Sequence, residues 1–179
     1  MEGRRPRRPW VRMTPVGEFV GGKGMPGNRK HPPHFPPVRG DQSIVIFLTV
    51  CSKDRQPRFA NPTAHRALRD AWVAAADWRV GRYVILPDHI HLFCAPAVEA
   101  PLPLQNWVEL WKRFASRLLG FGRREPLWQR HFWDTQLRRG DSYASKWEYV
   151  RQNPVRHGLV AAVEDWPYQG ELAVLPWFD

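Results

Sequence analysis

The spacing of apolar and polar residues predicts most of the elements of this chain. Ser43–Cys51 (SIVIFLTVC) is an unbroken apolar, β-branched run, as expected of a central strand covered on both faces. Asn61 followed by Pro62 reads as a helix cap and first helical residue. From there Ala64, Ala67, Leu68, Ala71, Trp72 and Ala75 form one stripe of a helix reaching about Asp77. Gly81 introduces a second apolar stretch, and Pro87-Asp88 predicts a tight turn between its two halves, giving an antiparallel hairpin. A second helix is expected over about Leu102–Leu119, ending at Gly120 and Gly122. Its apolar stripe is Leu104, Trp107, Val108, Trp111, Phe114, Ala115 and Leu118, with Lys112, Arg113, Ser116 and Arg117 largely off it. Trp128–Leu137 favours a strand by composition. A third helix begins at Asp141 or Ser142, carries Tyr149, and is kinked or ended by Pro154, with Gly158 closing any continuation. The order strand, helix, hairpin, helix, strand, helix predicts an α+β domain: a ferredoxin-like antiparallel sheet with helices packed on one face.

Composition divides the 179 residues unevenly. Residues 1–42 hold eight of the eighteen prolines and seven of the thirteen glycines, too little apolar material to offset the entropy of ordering. This predicts a flexible basic arm at 1–42, a catalytic domain at 43–170 and a short C-terminal tail at 171–179. No apolar run approaches a membrane span, and the polar, proline-rich start does not resemble a secretory signal. A soluble cytoplasmic protein is expected. Cys51 and Cys94 both lie in apolar runs and read as buried free thiols.

The net charge of +10 changes the picture, because it calls for a polyanionic partner. Residues 1–40 contain nine Lys/Arg against two acids, so most of the excess sits on the arm, where Arg4, Arg5, Arg7 and Arg8 suit phosphate contacts. A second cluster runs through Lys112, Arg113, Arg117, Arg123, Arg124, Arg130, Arg138 and Arg139. Both are candidate nucleic-acid contacts by charge.

The candidate chemistry lies in His89-Ile90-His91-Leu92. Side chains alternate along a strand, so both imidazoles leave one face while Ile90 and Leu92 enter a core. Two imidazoles side by side form half of a divalent-metal site, although a structural pair or a zinc site has the same spacing. Neither cysteine has the spacing of a zinc ligand. Mg²⁺ or Mn²⁺ calls for oxygen as well, and Asn153 offers a carboxamide one helical turn beyond Tyr149. A tyrosine hydroxyl beside such an ion can attack a phosphodiester and form a phosphotyrosine link. Tyr83, Tyr143 and Tyr168 lack that neighbourhood and read as packing. Trp72, Trp107 and Trp111 fall on helix stripes, which leaves Trp128 and Trp133 open as base-stacking surfaces.

Leu86-Pro87-Asp88-His89-Ile90-His91-Leu92, Phe132-Trp133-Asp134, the block from Tyr149 through Asn153-Pro154-Val155 to Gly158-Leu159-Val160, and Asp165-Trp166-Pro167-Tyr168 together resemble the REP-associated tyrosine transposases. These are bacterial relatives of the single-tyrosine HUH transposases, and the resemblance covers roughly residues 41–170. It implies a ferredoxin-like fold, divalent metal at His89 and His91 assisted by Asn153, and Tyr149 as nucleophile forming a 5′-phosphotyrosine. It also implies single-stranded DNA with imperfect hairpins as partner, a monomer or homodimer, and association with the nucleoid when DNA is bound. The long arm departs from the family pattern. Three readings follow: a DNA endonuclease and strand transferase, a catalytically inactive or domesticated hairpin-binding protein, and a small metallohydrolase that does not need Tyr149.

Overall fold

The first predicted strand is the centre from which the fold is built. In the computed structural model, which describes residues 44–137 and 142–177, β1 (Ile46–Cys51) pairs antiparallel with both β3 (His89–Pro96) and β4 (Trp133–Gln136). β2 (Trp78–Ile85) pairs with β3 on one side and with the short β5 (Gln169–Glu171) on the other. The resulting order is β4-β1-β3-β2-β5, antiparallel throughout. With α1 (Pro62–Ala74) after β1 and α2 (Leu104–Leu118) before β4, the chain runs βαββαβ. This is the ferredoxin-like arrangement, α+β as expected.

Local chemistry explains the element ends. Asn61 Oδ1 accepts the Ala64 N–H at 2.9 Å, and Pro62 occupies a first-turn position whose N–H has no helical partner. The helix stops at Ala74 rather than Asp77, because Trp78 already belongs to β2. α2 closes at Gly120, whose φ of 74° suits glycine and strains other residues. Ser142 caps α3 (Tyr143–Arg151) by accepting the Ser145 N–H at 3.1 Å.

The alternation of β1 separates two faces. Ile46, Leu48 and Val50 are fully buried, whereas Phe47 and Thr49 are only partly covered, so the double coverage expected for this strand is incomplete. The first face is closed by α1 and α2 through Leu68, Trp72, Trp107, Val108 and Trp111. Trp111 stands edge-on to Trp72 at 6.0 Å, Trp107 at 6.2 Å and Trp128 at 5.4 Å. The second face carries Val45, Val84 and Phe93, and here the expectation of helices on one side needs correcting. Tyr143 and Val150, two turns apart on α3, bury against this second face, so α3 lies opposite α1 and α2. Residues 171–177, set aside as a tail, also contribute: Leu175 is buried in the same cluster, its side chain so close to Gly81 that a Cβ there would sit 2.6 Å away. The arm at 1–42 lies outside the described residues.

Candidate metal and nucleophile site

His89 and His91 leave β3 on the second face, the one that α3 partly covers, since the next residue in the same alternation is Phe93 of that cluster. Their ring centroids are 4.8 Å apart and the planes nearly perpendicular, at 86°. Each ring is held through Nδ1. His89 Nδ1 lies 2.7 Å from Asp88 Oδ1, and Asp88 Oδ2 lies 2.8 Å from Arg55 Nε. Burial pushes the Asp88 carboxyl up, but its bond to His89 and the charges of His89 and Arg55 outweigh that and hold it below the usual range. An ionised carboxylate only accepts, so His89 Nδ1 carries the proton of this bond and Nε2 is the nitrogen turned away from Asp88. His91 Nδ1 meets Thr49 Oγ1 at 2.8 Å, its direct cross-strand partner, and Phe47 stacks on the ring at 5.4 Å. Burial, followed by the charges of His89, His157 and Arg55, lowers His91 well below the ordinary histidine value. It is therefore neutral at neutral pH, the form that ligates a metal.

The Arg55–Asp88 contact is built by an unusual turn. Asp54 and Arg55 both have left-handed backbones, with φ of 54° and 56°, a conformation that costs about 1–3 kcal/mol per non-glycine residue. Bonds around it fix the turn. Lys53 N–H donates to Leu127 O at 2.8 Å, Ser52 N–H to Asp88 O at 2.9 Å, and Arg55 Nη1 to Cys51 Sγ at 2.6 Å.

Tyr149 is 52% exposed, whereas Tyr83 and Tyr143 are buried and Tyr168 is half-covered, so of the four tyrosines it is the one open to a substrate. It sits beside the inward-facing Val150 on α3. The Arg156 guanidinium lies 4.1 Å above its ring, and Arg156 Nη1 donates to the Tyr149 carbonyl at 2.8 Å. Asn153 is not simply one turn further along the same helix. The helix breaks at Gln152, and Asn153 opens a separate short turn, α4 (Asn153–Arg156), because Pro154 has no N–H to continue the ladder. That turn delivers His157, whose ring stands 6.1 Å from His89 and edge-on to it. Burial first, then His89, lowers the His157 value.

The predicted basic contacts divide. Lys112 is buried, its Nζ donating to Gln129 O at 2.8 Å, so it is withdrawn from solvent rather than off the apolar stripe. Burial lowers its pKa to about 8, against the partial support of Glu109. Arg113 and Arg117 are exposed on α2, which covers the face opposite the histidines. Arg123, Arg124 and Arg130 are exposed between α2 and β4. Arg4, Arg5, Arg7, Arg8, Arg138 and Arg139 lie outside the described residues. Sequence reasoning missed Thr49, Arg55, Asp88, Arg156 and His157. Asp88, Arg156 and His157 lie inside the family motifs; Thr49 and Arg55 depend on the strand register and the turn. Both cysteines are buried and free, as expected.

No family model matches the chain. A REP-associated tyrosine transposase of Escherichia coli is 29% identical over 126 residues, covering 68% of this chain and 73% of that protein. A putative REP-associated tyrosine transposase of Haemophilus influenzae is 32% identical over 141 residues, covering 69% and 77%. The fold is that of a REP-associated tyrosine transposase solved bound to a REP hairpin, with a TM-score of 0.61 at 22% identity over 81% of this chain and 82% of the other. The fold is thus a ferredoxin-like domain, with the histidine pair on its second sheet face. The chain belongs to the REP-associated tyrosine transposase family.

Proposed function

We propose that this protein is a metal-dependent single-stranded DNA endonuclease and strand transferase of the single-tyrosine HUH type, acting beside hairpin-forming repeats. The observation that carries the reading is the perpendicular His89–His91 pair, held through Nδ1 on the sheet face that α3 covers, with Tyr149 exposed on that helix. The donor set fits Mg²⁺ or Mn²⁺. His89 and the neutral His91 would offer their Nε2 atoms, and among the described residues no group of three His, Cys, Asp or Glu side chains is placed to hold an ion by itself. Oxygen would have to complete the set, with the Asn153 carboxamide as the chain's candidate and water and a DNA phosphate as the others. A bound ion there supplies positive charge to the non-bridging phosphate oxygens.

The residues of the chain do the rest. The Tyr149 hydroxyl gives up its proton as Oη attacks phosphorus. A new Oη–P bond forms, the P–O3′ bond breaks, and the 3′ oxygen leaves as a hydroxyl after taking a proton. The 5′ side of the strand stays on Tyr149 as a phosphotyrosine. A 3′-hydroxyl from the same or another strand reverses the step, the phenol being the better leaving group. Asp88 and Thr49 keep the two rings in register throughout, and Arg156 holds the Tyr149 ring. The bound hairpin of the solved family member supports hairpin DNA as the partner here. The test is to incubate the full chain with Mn²⁺ and a stem-loop oligonucleotide drawn from the repeats flanking its gene. A slower covalent species is expected on a denaturing gel, absent in Tyr149→Phe and strongly reduced in His91→Ala. Salt-dependent binding with no adduct at any metal refutes the reading in favour of a binding protein. Turnover that survives Tyr149→Phe refutes it in favour of a hydrolase.

A further inference from the structure

Trp133 is the one tryptophan among the exposed large apolar residues described, at 46%, and it stands on the edge strand β4. A single exposed indole is ordinary; its position is what matters here. β4 and β1 align Trp133 with Thr49, and β1 and β3 align Thr49 with His91. Residues opposite one another across antiparallel strands share a face, and Thr49 declares that face by bonding His91. Trp133, Thr49 and His91 therefore form one row across the sheet, with the indole at its open end. Two strand spacings, roughly 10 Å, separate Trp133 from His91. The neighbouring row repeats the pattern with exposed Thr135 opposite Phe47, and Lys146 of α3 holds its ammonium 5.5 Å from the Phe47 ring. Arg130 is exposed three residues before Trp133. The other candidate, Trp128, is spent on packing: it stacks on Phe59 at 4.8 Å and its Nε1 donates to Ser116 Oγ at 2.9 Å.

We propose that Trp133 is a stacking platform for an unpaired base of the DNA strand, within about three nucleotides of the phosphate at the histidine pair at the roughly 3.4 Å rise of a stacked strand. The occupant is single-stranded DNA rather than another protein, because the row runs from a flat aromatic into a phosphate-seeking pair, with Lys146 over the adjacent row. Base–aromatic stacking tolerates any base, so this residue sets which nucleotide is held and not which base it carries. The location rests on the proposed reaction; the contact itself does not require cleavage.

The two are separated by measuring binding in the Tyr149→Phe background with EDTA present. The probe is a stem-loop DNA with oligothymidine tails on both sides, in which each tail position is made abasic in turn or replaced by 5-iodouracil for photocrosslinking. Trp133→Ala is expected to lose roughly 5- to 150-fold in affinity for intact tails. It is expected to lose little further on the probe abasic at one or two adjacent positions, and a crosslink from those same positions maps to Trp133. Trp133→Phe, which keeps an aromatic surface in the same fold, retains most of the affinity. Equal losses at every abasic position, no loss in Trp133→Ala, or a change in sedimentation showing that Trp133 joins two copies of the chain overturns the proposal. An absent adduct in the metal assay with this coupling intact condemns the cleavage reading alone.

Discussion

The two faces of the sheet follow opposite rules. The face under α1 and α2 is filled by four tryptophans and aliphatic residues at or near zero exposure. Two of its indoles are served by backbone, Trp107 Nε1 donating to Ala75 O at 2.7 Å and Trp78 Nε1 to Leu102 O at 2.8 Å, whereas the buried Nε1 of Trp72 and of Trp111 has no hydrogen-bond partner among the described residues. The face under α3 is left half-open, and the titratable groups gather there: Asp88, His89, His91, His157 and Arg55 form one connected set. Stability is concentrated on one side of β1 and β3, and polar geometry on the other. The same strands serve both because side chains alternate, so a rigid apolar face fixes the positions of imidazoles it never touches.

The comparison breaks first, if it is wrong, on the closed face. Trp111→Ala is expected to destabilise the fold by about 3–5 kcal/mol in urea titration, while His91→Ala stays within about 1 kcal/mol of wild type because its ring is not part of that core. Comparable losses from both variants would erase the distinction.

Lys112 is the charged exception on the closed face. Its folded value of about 8 lies below the ordinary 10.5, so the unfolded chain binds the proton more tightly and the penalty is fully present below pH 8. Stability from this group therefore rises with pH through the window from 8 to 10.5. The gap between wild type and Lys112→Met is expected to change by about 2–3 kcal/mol between pH 7 and 10. A gap that does not move with pH means the ammonium is solvated. DNA affinity of the variant should match wild type, since Lys112 faces Gln129.

On the open face, Asp88→Asn replaces an accept-only carboxylate with an amide that can also donate, so the His89 tautomer is no longer fixed. A 10- to 100-fold loss of Mn²⁺ affinity is expected by calorimetry, with Arg55→Ala between this variant and wild type. Unchanged affinity would show that the ring needs no such support. The smallest effect belongs to a local device common to both faces: Asn61→Ala should cost about 1 kcal/mol through its lost cap, read in the same urea titration.

What could be read from sequence follows the range of each interaction. The Asn61 and Ser142 caps, the hairpin and the His89–His91 pairing depend on neighbours within a turn or a strand, and periodicity exposes them. The side on which α3 packs depends on Tyr143 and Val150 meeting Val84 and Phe93, a choice no local pattern makes. Thr49 supports His91 only through the β1–β3 register. Arg55 reaches Asp88 only because two non-glycine residues adopt left-handed backbones. Lys112 misled because a cation in a basic run reads as surface, and burial here is made tolerable by a carbonyl from Gln129 seventeen residues away.

The central claim is that Tyr149 and the histidine pair act on one phosphodiester. Mass spectrometry of the full chain after incubation with Mn²⁺ and a stem-loop substrate tests it directly. The account predicts a peptide containing Tyr149 carrying the 5′-phosphorylated DNA fragment, lost when either Tyr149 or His91 is replaced. DNA cut with no protein attached, or attached at another residue, would contradict it.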